Sequence, residues 1–155
     1  GFLLNNTAPV KGVSWDMNAD CSSSAGQVTT KSSMQETKDG KQMTTCHKGC
    51  NHTTSLCNGK ATMSAPLLNK LYDYATKRNI NIISISGGSH SNTSKHYQGL
   101  AVDISVPGLT FQQARDEFNK LYNIGASPVI AYCDNGHFSE CNVATHLHIQ
   151  AQGWK

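Results

Sequence analysis

Apolar residues in this chain fall into two spacings, and each spacing predicts a different kind of element. Within residues 63–79, Leu67, Leu68, Leu71, Tyr72 and Ala75 recur three and four apart, which gathers them on one helical face. Ser64 stands where an N-cap acceptor is needed, and Pro66 is tolerated in a first turn, where its missing N–H costs nothing. A second helix is predicted over residues 110–123. Thr110-x-x-Gln113 has the form of a capping box, and Phe111, Ala114, Phe118, Leu121 and Tyr122 supply the apolar face. Gly125 is well placed to end it. Strands are predicted over residues 80–86, where Ile82, Ile83 and Ile85 form a buried run, over 100–105, over 128–133, and around His146 and His148. Asp134-Asn135-Gly136-His137 is a turn signal before that last strand. Residues 1–60 show neither period beyond short apolar fragments, and read as loops with a few short strands.

Composition narrows the class. At 155 residues the chain is one domain by size, and only 15% of it is charged, while Ser, Thr, Asn and Gly abound. That is the surface of a protein working outside the cytoplasm. The net charge of +3 is not gathered into any Lys/Arg run, which argues against a nucleic-acid binder. No apolar run approaches the ~20 residues that span a bilayer. Cys21, Cys46, Cys50, Cys57, Cys133 and Cys141 make an even set in a short chain, the pattern of disulfides in an oxidising compartment. Four of them lie in residues 1–60, so that extension is expected to be disulfide-rich. A structural zinc site on Cys46, His47, Cys50, His52 and Cys57 is the rival reading, and the extracytoplasmic composition favours oxidation over it.

The chemistry concentrates in Ser94-Lys95-His96-Tyr97-Gln98-Gly99-Leu100-Ala101-Val102-Asp103 and in Thr145-His146-Leu147-His148-Ile149. Imidazole and carboxylate are ligands that zinc accepts, and a catalytic zinc site keeps three of them with a fourth position open. His96, Asp103 and one histidine of the His-x-His pair would make that set. Alternate strand residues share a face, so His146 and His148 point one way while Leu147 and Ile149 face the core. By the same rule Val102 and Ile104 are buried and Ala101 and Asp103 share the other face. Gly99 allows the sharp turn that returns a loop histidine over a strand aspartate.

Ser-x-His-x-x-Gly-x-Ala-x-Asp followed by His-x-His resembles the zinc peptidases of the M15 type, the D-alanyl-D-alanine carboxypeptidase and phage endolysin group. That group shares its fold with the lysostaphin-type endopeptidases and the hedgehog signalling domain. The resemblance runs from Ser64 to the C-terminus. It implies one zinc ion held by His96, Asp103 and His148, and cleavage of a peptide bond in bacterial peptidoglycan. Members often carry a carboxylate-gripping arginine in the loop that here reads Ser86-Gly87-Gly88-Ser89-His90, and its absence favours an endopeptidase over a carboxypeptidase. Many also carry an acid where this chain has Thr145. The general base is therefore expected to be His146, as in the lysostaphin-type relatives, with Glu140 or Asp134 as alternatives from the preceding loop. Ser86, His90, Ser94 and Tyr97 are expected to meet substrate.

The fold expected is α+β: a small, mainly antiparallel sheet of about four strands with two helices packed on one side and the zinc site on the other face. It forms a single domain over residues 1–155, with 1–60 as the extension and 61–155 as the peptidase-like core. A secreted or periplasmic monomer follows. Two rivals remain: a non-catalytic zinc-containing binding domain, and a wall glycosidase that uses two carboxylates such as Asp103 and Glu140.

Overall fold

The computed structural model describes residues 4–5, 8–9, 12–15, 21–23, 26–47, 56–87, 94–124, 130–133, 144–151 and 153–154. In chain order the elements are β1 (Leu4–Asn5), β2 (Ala8–Pro9), β3 (Val13–Trp15), β4 (Cys21–Ser23), β5 (Gly26–Val28), α1 (Thr30–Lys38), β6 (Met43–His47), β7 (Leu56–Ala61), α2 (Ala65–Lys77), β8 (Ile80–Ser84), a 3₁₀ turn (Lys95–Gln98), β9 (Ala101–Ser105), α3 (Phe111–Leu121), β10 (Ile130–Cys133) and β11 (Ala144–Gln150). The class is α+β. Five strands form one sheet in the order β10-β11-β9-β8-β3, antiparallel except at the β8–β3 edge, which is parallel. The β1–β2, β4–β5 and β6–β7 pairs stand apart as two-stranded ribbons.

Alternation along the central strands divides the sheet into two chemical faces. Ile80, Ile82, Val102, Ile104, Leu147 and Ile149 pack with Leu67, Leu71 and Tyr74 of α2 and with Ala114 and Phe118 of α3 in one apolar core. Ser64 caps α2 by accepting from the Leu67 N–H, and Thr110 and Gln113 close the expected capping box at the start of α3. Tyr72 and Leu121 are exposed instead of buried. Tyr72 sits about 100° around the helix from the centre of the buried stripe of α2, and Leu121 is the last residue of α3, beside Tyr122. Tyr122 takes the inner position and packs on Phe118 with ring centroids 4.7 Å apart. Asn123, with φ 51°, makes the left-handed turn after α3, and the Ile124 N–H returns to the Asn119 carbonyl. Gly125 lies outside the described residues.

The largest difference from the sequence reading is in residues 1–60, which contribute a third helix beside their short strands. Helix α1 has a Thr29–Ser32 capping box but only one apolar residue, Met34, so hydrophobic spacing gave no sign of it. Glu36 pins α1 to β6, accepting from the Thr44 N–H at 3.1 Å and its hydroxyl at 2.9 Å. Val13, Met34 and Met43 join the same core as α2 and α3. Cys46 is fully buried and disulfide-bonded. The side chains of the other five cysteines lie outside the described residues.

Candidate metal centre

The face of the sheet turned away from α2 and α3 carries the polar cluster. Asp103 comes from the middle of β9, and the antiparallel register sets His148 of β11 directly opposite it. On the other side β8 carries a bulge between Ile82 and Ser84, which brings Ser84 opposite Asp103. His96 arrives from the 3₁₀ turn, whose first N–H groups include one donated by His96 to the Ser94 hydroxyl. Gly99 ends that turn with φ 75°, and a β-carbon there would collide with the Thr62 carbonyl. The turn therefore needs glycine for both conformation and space. Its other side is fastened by the Ser64 N–H, which donates to the Gly99 carbonyl at 2.9 Å.

His96, Asp103 and His148 are all buried, and their ligand atoms lie within 4.8 Å of one another. His96 Nε2 and His148 Nδ1 approach the same oxygen, Asp103 Oδ1, at 3.1 and 3.0 Å. The outward ring nitrogens are held as well. His96 Nδ1 lies 2.8 Å from the Ile85 carbonyl, which only accepts, so Nδ1 carries the proton and Nε2 offers its lone pair inward. His148 Nε2 lies 3.2 Å from the Gln150 side-chain oxygen, which orients its Nδ1 inward in the same way. Two lone pairs and a carboxylate oxygen converging in a dry site repel unless a cation, proton or metal ion, lies among them. Such outer hydrogen bonds are the usual means of fixing metal-ligating imidazoles. This donor set fits a divalent ion such as zinc, and the identity of the ion is not set by it.

In the absence of a metal ion, a proton is the cation that fills this role. Burial works against charge on Asp103, but the surrounding imidazoles, His96 foremost, hold its carboxyl well below the usual carboxylate range. Burial also works against charge on His148, yet the hydrogen bond to Asp103 leaves its pKa raised above 6.5. His146 is different. Burial lowers its pKa, Asp103 offsets this only in part, and the other two histidines lower it further. Its Nε2 lies 3.7 Å from Asp103 Oδ2, and its side chain keeps 23% exposure.

The residues expected to meet substrate separate. Ser94 shapes the turn that carries His96. Ser86 is fully buried: its hydroxyl donates to the Thr44 carbonyl at 2.9 Å and lies 2.6 Å from the Ser33 hydroxyl. It ties the end of β8 to α1 and β6 and has no surface to offer a substrate. Tyr97 is likewise buried, packed with Val28 and Cys46. In both cases the N-terminal region, which the sequence predicts as loops with a few short strands, covers the side chain. His90, Glu140 and Asp134 lie outside the described residues. The sequence reading missed Ser84 and Gln150. Gln150 had a signal, since it shares a strand face with His148, whereas Ser84 reaches its position only through the bulge.

Two clefts of about 410 and 320 Å³, both bordered by Gly12 and Asn79, lie elsewhere, and neither is lined by a residue of the cluster. No described helix is long and apolar enough to cross a membrane. No family model, characterised protein or solved structure matches this chain.

Proposed function

We propose that this chain is a zinc-dependent peptidase of the M15 type that cleaves a peptide bond in bacterial peptidoglycan, working as a monomer outside the cytoplasm. The observation that carries the reading is the convergence of His96 Nε2, His148 Nδ1 and Asp103 Oδ1, each held from behind by its own partner. The chemistry a zinc ion supplies when bound is Lewis-acid polarisation of a carbonyl and activation of water near neutral pH. The protein's part is to orient the three ligands and to move a proton. His146 stands beside Asp103, partly open to solvent, and burial lowers its pKa, which favours the neutral imidazole that a general base requires. In this reading the imidazole of His146 takes the proton of the attacking water and later delivers it to the leaving amine. The disulfide at Cys46 is read as one of several that staple residues 1–60, in keeping with an oxidising compartment.

Digestion of purified peptidoglycan with and without a chelator, followed by mass spectrometry, tests the proposal. New peptide ends that vanish on chelation and return with added zinc are expected. Zinc binding without new ends would favour the non-catalytic binding domain. New reducing sugar ends insensitive to chelation would favour the glycosidase.

A further inference from the structure

The bulge in β8 redirects one side chain. Counted alternately from Ile80 and Ile82, which face the core, Ser84 would follow them there and Ile83 would face the cluster. The register shift moves Ser84 to the other face. Ile82 pairs with Ile104, Ser84 pairs with Asp103, and Ile85 returns to the core. Ser84 is 5% exposed, and its hydroxyl donates to Asp103 Oδ2 at 3.1 Å. Oδ1 meanwhile meets both imidazoles at hydrogen-bond distance, while His146 Nε2 stays 3.7 Å from Oδ2. The two oxygens of one carboxylate are thus divided between different partners.

We propose that Ser84 is a positioning residue of the metal centre: by holding Oδ2 it fixes the carboxylate plane, so that Asp103 offers Oδ1 alone to the ion. The inference rests on the zinc-centre reading above. A carboxylate can bind a metal through one oxygen or through both, and the choice changes the coordination number. With Oδ2 engaged from β8, the one-oxygen mode is favoured over the two-oxygen mode. Ser84 acts through Asp103 and touches neither the ion nor the substrate.

The test uses the full chain loaded with Co²⁺, whose visible absorption reports coordination number. Wild type is compared with Ser84→Ala, Ser84→Thr and Ser86→Ala. Ser86 is a second buried serine two residues on, whose hydroxyl holds Thr44 and Ser33 rather than Asp103. Ser84→Ala is expected to weaken Co²⁺ and Zn²⁺ binding by about 10–100-fold, the usual effect of losing an outer hydrogen bond to a ligand. Its visible absorption should lose intensity as the second oxygen joins the ion. Ser84→Thr should restore both properties. Ser86→Ala should lower the melting temperature yet leave spectrum and affinity unchanged. A Ser84→Ala protein with wild-type spectrum and affinity would overturn the proposal, as would an equal shift in Ser86→Ala. A wild-type protein that binds no Co²⁺ would overturn the metal-centre reading itself, and the role of Ser84 with it.

Discussion

Asp103 and His148 contribute to the pH behaviour of the metal-free protein with opposite signs, which follow from their shifts. The carboxyl of Asp103 is depressed, so its contribution is present above its unfolded pKa near 3.8 and is lost as pH falls through the folded value. His148 is raised, so its contribution is full below 6.5 and is lost as pH rises through the folded value. Zinc reverses the alkaline side, because it competes with the proton that His148 otherwise holds. The gap in melting temperature between zinc-loaded and chelated protein should therefore widen as pH rises from 6.5 through the raised folded pKa of His148; a constant gap would contradict this assignment. His146 is expected to act on rate alone. His146→Gln should lower turnover by about 10²–10⁴-fold while zinc content stays unchanged. In the wild type the rate should fall as pH drops below the depressed His146 pKa, under 6.5. Loss of zinc in His146→Gln would instead make His146 a ligand. His96, Asp103 and His148 were legible in the sequence because ligand type and strand alternation both point to them. Ser84 was not, because the same alternation assigns it to the core.

At the scale of elements, the 3₁₀ turn is the part on which the cluster depends. Gly99 is its hinge, and Gly99→Ala must both adopt a left-handed conformation and push back the Thr62 carbonyl. The first term alone costs about 1–2 kcal/mol, roughly 2–8 °C in melting temperature for a domain of this size. Because the backbone must also shift beside His96, zinc affinity should fall together with stability; calorimetric titration and thermal melts check both. Unchanged zinc affinity would mean that the turn does not set the position of His96. Helices α2 and α3 were readable because each joins a capping signal to an apolar stripe, and both caps form as expected. Helix α1 was not, since its packing relies on Thr30, Ser33 and Met34 and on the bonds of Glu36 to Thr44. Polar contacts of that kind leave no period in a sequence.

For the molecule as a whole, the N-terminal residues are bound into the core rather than appended to it. Strand β3 extends the sheet as a parallel edge, Val13, Met34 and Met43 share the central core, and Tyr97, next to His96, packs on Val28 and Cys46. This explains why Ser86 and Tyr97 are buried. Contacts between distant parts of the chain cover them, and no local pattern announces such contacts. The claim on which everything else depends is that the His-Asp-His cluster is a metal centre. Native mass spectrometry of the chelated protein titrated with zinc tests it most directly, alongside Asp103→Asn and His148→Ala. One zinc per wild-type chain, with binding lost in both variants while they remain folded, is the expected result. A wild-type chain that takes up no zinc, or variants that bind it as well as the wild type does, would contradict it.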